Sequence, residues 1–142
     1  IKEDGKRVVL LGTEKESELM NRIRNSDQSK TIKIIPPVNL RVLTGFLKKS
    51  RLFIGNDSGL MHLAAMVGVP VLGIFGPGSP ETTGPYMAME KQEVVTKNFS
   101  CSPCKQRFFK ECKPSPLNKP YCLEDITVKD VHEAVRRLLK RY

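Results

Sequence analysis

Short runs rich in Val, Ile and Leu alternate along this chain with stretches of helical periodicity, and that alternation restricts the fold more than any other feature. Residues 7–12 (RVVLLG), 31–35 (TIKII), 51–55 (RLFIG) and 71–75 (VLGIF) read as buried strands, and 92–96 as a fifth. Between them, Leu19, Met20 and Ile23 fall at helical spacing, Asn39 stands as an N-cap before Leu40, Leu43 and Leu47, and residues 58–67 form a Met-, Leu- and Ala-rich helix closed by Gly68-Val69-Pro70. Residues 127–140 close the chain as an amphipathic helix, with Val128, Val131, Val135, Leu138 and Leu139 expected inward. Strand and helix alternating at such short intervals require parallel strands joined by crossovers, hence a Rossmann-like α/β parallel sheet with helices on both faces. There is no internal repeat and no low-complexity tract.

In sheets of this kind ligands bind beyond the carboxyl ends of the strands. The segments to inspect are therefore 12–16, 36–39, 56–62 and 76–84. The densest signal is residues 53–65 (FIGNDSGLMHLAA), where a buried strand delivers Asn56-Asp57-Ser58-Gly59 to the start of a helix. The first amides of a helix lack internal partners, and its dipole places about half a positive charge there, so an anion can be held without a cationic side chain. Residues 52–90 contain no Lys or Arg. A phosphate bound here would rest on backbone amides, the Ser58 hydroxyl and the His62 imidazole, with Gly59 allowing close approach. His62 shares the first-turn face with Ser58 and Gly59. The plainer alternative makes Asp57 or Ser58 a helix cap and His62 a structural residue. Neither GxGxxG nor GxxxxGK[ST] occurs, which removes support for a dinucleotide fingerprint or a P-loop.

NDSGLMHLAA, followed by VPVLGIFGPGSPETTGPY and CSPC, resembles the C-terminal domain of glycosyltransferase family 9, the ADP-heptose:lipopolysaccharide heptosyltransferases. The resemblance implies one half of a GT-B glycosyltransferase. Residues 1–142 would form a single nucleotide-sugar-binding domain, and an N-terminal acceptor domain would lie outside this chain. It further implies that Asp57, Ser58, Gly59 and His62 surround the donor diphosphate, that Glu16 holds the ribose hydroxyls, and that Val38 flanks the adenine edge. Gly12 and Thr13 would line the same crevice, with Thr82 and Thr83 on the rim near the sugar. For Glu16 the alternative is a first-turn acid favoured by the helix dipole; for Gly76-Pro77 and Gly84-Pro85 it is turn chemistry. The catalytic base is expected in the N-terminal domain, so no catalytic residue is assigned in this chain, and the fragment alone is expected to be inactive. The implied partners are ADP-heptose or ADP and a lipopolysaccharide precursor, with inversion, no metal in the chemical step and no cofactor.

Charge and cysteines add further expectations. The formal net charge is +9, from 24 basic and 15 acidic residues, which favours an anionic partner. Aromatic residues make up only 6%, too few for base-stacking platforms, so no nucleic-acid partner is expected. No run approaches the roughly 18 apolar residues of a membrane-spanning helix, and no signal-peptide pattern opens the chain. It begins without Met directly before a strand, as a piece of a longer protein would, and a cytoplasmic location, peripheral at the inner face of the inner membrane, is expected. Residues 97–119 hold six basic residues (Lys97, Lys105, Arg107, Lys110, Lys113, Lys119) against Glu111, with Phe108 and Phe109 among them. That loop either meets an anionic lipid surface or is solvated and packed by its two Phe; the second is favoured. Cys101, Cys104, Cys112 and Cys122 give C-x2-C-x7-C-x9-C, for which free thiols are the first expectation, and a Zn site or disulfides the alternatives. Two other classes compete with the leading reading: another nucleotide-sugar enzyme such as a UDP-sugar epimerase, and a basic non-enzymatic module binding nucleic acid.

Overall fold

The computed structural model describes residues 6–104 and 112–141. The chain divides into two compact units, Ile1–Leu43 and Thr44–Tyr142. All five expected strands form, and among the described residues every strand ladder is parallel: β1 (Val9–Leu10) with β2 (Lys33–Ile34), and β3 (Phe53–Asn56), β4 (Val71–Ile74) and β5 (Gln92–Val95) in that order. Hydrophobic runs therefore marked where strands occur, but not which edges pair.

In the first unit the β1–β2 ladder is shorter than the apolar runs suggest. Its outer bonds run from Lys33 N–H to Val8 O and from Ile35 N–H to Leu10 O, and Pro36, which has no N–H, ends it. A 3-10 turn over Glu14–Glu16 leads into α1 (Ser17–Ser26), which packs on β2. Of the three helically spaced apolar residues, only Met20 is buried; Leu19 and Ile23 are exposed. The return to β2 is organised by Asp27. Its carboxylate accepts from the Ser29 hydroxyl, from Thr31 N–H at 2.7 Å and from Ile32 N–H at 3.1 Å. These donors, the Ser29 hydroxyl first, hold the Asp27 carboxyl far below the usual range.

Asn39 caps α2 (Leu40–Lys48) as expected, its Oδ1 accepting from Val42 N–H at 3.0 Å. Leu43 and Leu47 are buried, but Leu40, the first residue of the helix, is exposed.

In the second unit β4 is the central strand, with Val71 and Leu72 fully buried. Its two faces carry different helices. Leu72 joins Val95, Ala134 and Leu138 in a core cluster with Ile74, Val131 and Val135 packed against it, so α6 (Val128–Leu139) covers one face. On the other face α3 (Gly59–Met66) approaches Gly73 closely: a Cβ there would lie 3.1 Å from Met61 Sδ and 2.7 Å from Phe75 Cε2. Helices on both faces of a parallel sheet are thus the architecture found. α3 ends in a Schellman arrangement, Val69 N–H bonding Ala64 O and Gly68 N–H bonding Ala65 O, with Gly68 at φ +82°.

The inward face of α6 is corrected in one respect. Val128 is 87% exposed, whereas Ala134 and Leu138 are fully buried. At about 100° per residue, Val128 lies roughly 80–120° around the helix from Leu138 and Ala134, in the first turn. That turn is fixed by its cap instead. Thr127 N–H and hydroxyl donate to Asp130 Oδ2 at 2.7 and 2.8 Å, and Asp130 N–H returns a bond to Thr127 Oγ1.

Candidate functional site

β3 ends at Asn56, and the next two residues turn the chain into α3. Asp57 N–H still bonds Ile74 O, extending the β3–β4 register by one step. Ser58 is the extended N-cap residue, and its carbonyl accepts from Met61 and His62 N–H at 3.1 and 3.3 Å. The amides of Gly59 and Leu60 precede the first intrahelical bonds and open at the helix end. Ser58 and Gly59 are exposed and His62 is half-buried on the following turn. A Cβ built on Gly59 meets nothing within 4 Å. The junction is an open cradle of peptide dipoles.

The capping alternative fails for both candidate side chains. The Ser58 hydroxyl makes no capping bond. The Asp57 carboxylate is turned to other use: its Oδ2 accepts from the Thr83 hydroxyl at 2.8 Å, across 26 residues. Thr83 belongs to α4 (Pro80–Thr83), a single turn with Ser79 at its N-cap position. Ser79 O accepts from the Thr83 hydroxyl at 3.1 Å and from the Thr82 hydroxyl at 3.2 Å, so the hydroxyl expected near the sugar on Thr82 is engaged within its own turn. Gly78 completes the contact, since a Cβ there would lie 2.8 Å from Asp57 Oδ2. Asp57, Thr83 and Ser79 form one bonded group bordering the helix end, with Gly78 packed against it.

The loop after β4 is buttressed from behind. The Ser102 hydroxyl donates to Gly76 O at 3.1 Å, and Cys104 N–H donates to Pro77 O at 2.9 Å. A Cβ on Gly76 would come within 2.4 Å of Leu123 Cγ, in α5 (Tyr121–Glu124). Sequence reasoning missed Ser102 and Leu123, and no local signal could have found them, because their partners lie 26 and 47 positions away.

The remaining expected site residues belong to the first unit. Thr13 N–H and hydroxyl donate to Glu16 Oε2 at 2.7 and 2.8 Å, the backbone donor contributing most to a lowered Glu16 carboxyl pKa. Of the two roles open to Glu16, the local first-turn acid is the one this geometry displays, and both bonds fall on Oε2. Gly12 packs tightly beside it, a Cβ there lying 3.2 Å from Glu16 Oε2 and 3.0 Å from Met20 Sδ. Val38 is partly exposed just before the Asn39 cap.

All four cysteines are free thiols, Cys101 exposed and Cys104, Cys112 and Cys122 half-buried. Lys105, Arg107, Phe108, Phe109, Lys110 and Glu111 lie outside the described residues. Among the described residues no helix is long and apolar enough to cross a membrane.

Residues 1–113 match the family model of glycosyltransferase family 9 (heptosyltransferase). The chain belongs to that family. It is 33% identical over 137 residues to lipooligosaccharide heptosyltransferase 2 of Campylobacter jejuni serotype O:2, covering 94% of this chain and 41% of that protein. Among solved structures, the Escherichia coli ADP-heptose lipopolysaccharide heptosyltransferase II superposes with a TM-score of 0.76 at 25% identity, over 98% of this chain and 38% of that one. The fold of the E. coli heptosyltransferase WaaC, solved with ADP, is also similar, with a TM-score of 0.69 at 22% identity over 95% of this chain and 35% of that chain. The chain thus spans about two fifths of the length of the curated relatives it matches. Family membership favours the glycosyltransferase among the competing readings of the sequence.

Proposed function

We propose that this chain supplies the donor-binding half of a GT-B heptosyltransferase, holding ADP-heptose while a heptose is moved to the lipopolysaccharide inner core. The observation that carries the reading is the β3–α3 junction. An open glycine stands at the helix N-terminus, and no Lys or Arg occurs from residue 52 to residue 90. Such a site suits an anion that gains charge as it leaves. WaaC, whose fold is similar, was solved with ADP, which agrees with this reading.

In the proposed reaction a base supplied from outside this chain takes the proton of the acceptor hydroxyl. The resulting oxygen attacks the anomeric carbon from the face opposite the diphosphate. The bond from that carbon to the diphosphate oxygen breaks with inversion, and ADP departs with the electron pair. The amides of Gly59 and Leu60, the Ser58 hydroxyl and His62 stabilise the departing diphosphate more than the bound donor, because its charge rises along the path. We assign this stabilisation to fixed dipoles and to no metal ion or cofactor. Gly12, Thr13, Glu16 and Val38 are assigned to the nucleoside, with the Glu16 carboxylate accepting from the ribose hydroxyls. Asp57 and Thr83 hold the rim. The acceptor is a lipopolysaccharide precursor at the inner, cytoplasmic face of the membrane.

The test is a thermal-shift and calorimetric panel of ADP, ADP-heptose, UDP and UDP-sugars against this chain and its His62→Ala variant. Stabilisation by the adenine nucleotides, weakened in the variant, is expected, with no heptose transfer by these 142 residues alone. A response to UDP ligands alone, or none to any nucleotide, would overturn the reading.

A further inference from the structure

Four thiols separated by up to 21 positions in sequence meet around one cavity in the second unit. Cys101, Cys104, Cys112 and Cys122 all line a space of about 140 Å³, together with Pro77, Phe99, Ser102, Lys113, Pro120 and Tyr121.

We propose that Cys101, Cys104, Cys112 and Cys122 form a structural tetrathiolate site for Zn²⁺. The spacing C-x2-C-x7-C-x9-C supplies one knuckle, at Cys101–Cys104, and two further ligands from separate turns. Among the described residues no three His, Cys, Asp or Glu already stand at ligand spacing, so the metal must draw the ring inward. Sulfurs held about 2.3 Å from Zn²⁺ lie about 3.8 Å apart in a tetrahedron. Little regular structure opposes that contraction. Between β5 and α5 the described residues hold no helix or strand, only the isolated bridge Pro114–Pro120. Charge also agrees: four thiolates and Zn²⁺ carry a net charge of about −2, and Lys113 lines the same cavity within a segment of six basic residues.

Binding releases the thiol protons to solvent and leaves no open coordination position, so the site is separate from the chemistry of sugar transfer. Its role is mechanical. Cys104 N–H holds Pro77 O and the Ser102 hydroxyl holds Gly76 O, so a metal closed on Cys101 and Cys104 would fix the loop that follows β4.

The test uses this chain expressed in zinc-supplemented medium and purified without chelator or added metal. About one zinc ion per chain, four thiols that react with a thiol reagent only after chelation, and a lower melting temperature after stripping that zinc restores are expected. Cobalt substitution should give strong tetrahedral d–d bands and a thiolate-to-metal charge-transfer band. Cys112→Ser and Cys122→Ser should each lose zinc on dialysis. If such a variant fails to fold, cobalt titration of the stripped wild-type chain decides the question. Less than stoichiometric zinc with freely reactive thiols, disulfides in the native protein, or weak octahedral cobalt bands would overturn the assignment.

Discussion

Replacing Thr83 by Val removes one hydroxyl and almost no volume, so it isolates the bond that joins α4 to Asp57. The hydroxyl has a single proton and two acceptors, Asp57 Oδ2 at 2.8 Å and Ser79 O at 3.1 Å; the shorter, charged one is the better acceptor. A hydrogen bond to a charged group contributes about 1.5–3 kcal/mol when enclosed. Here Thr83 is exposed and Asp57 half-buried, so water replaces much of the lost partner and about 1 kcal/mol is the reasonable figure. If the nucleotide binds only when the rim is held, that energy appears as a Kd for ADP raised about fivefold. In thermal denaturation the same change lowers the midpoint by about 3 °C for a chain of this size. Calorimetry with ADP on the wild type, Thr83→Val and Thr83→Ser provides the assay. Serine keeps the hydroxyl and should restore most of the affinity. Unchanged binding and melting in Thr83→Val, or a serine variant as impaired as the valine one, would refute the reasoning.

Gly68→Ala should cost about 1 kcal/mol in chemical denaturation, because φ is +82° while an added Cβ meets nothing within 4 Å; Gly68→Asn should cost less, and equal losses would point to sterics instead. Acid should weaken the fold through Asp27 and Asp130. The Asp130 carboxyl is held at about 2, by Thr127 N–H first and then by Lys97, and Asp27 lies lower still. Folded values below the unfolded one of about 3.9 mean that this stability is complete above that pH and is lost as pH falls through about 2. Melting midpoints from pH 6 downward should therefore decline less steeply in Asp130→Asn than in the wild type, and parallel curves would exclude the contribution.

Much of the architecture is legible in local pattern. The VLGIF run became the buried central strand, Asn39 caps α2 as expected, the helix expected from residue 127 starts at Val128 with Thr127 as its cap, and the FIGNDSG segment ends at an open helix N-terminus. These follow from periodicity and from the chemistry of individual residues. What stayed hidden depends on distance in sequence. Nothing local says that Thr83 reaches Asp57, that Leu123 fills the space beside Gly76, or that Cys112 and Cys122 share a cavity with Cys101 and Cys104. Periodicity also overstates burial near helix ends, as Leu40 and Val128 show, because the apolar stripe continues past the surface that covers it.

The Leu123 side chain beside Gly76, together with the two bonds onto Gly76 O and Pro77 O, fixes the start of the loop after β4. Gly76 and Pro77 are both anchored to the segment carrying Ser102 and Cys104. The short helix carrying Thr82 and Thr83 is tied in turn to the end of β3 by the Thr83–Asp57 bond, so the loop is pinned at both of its ends.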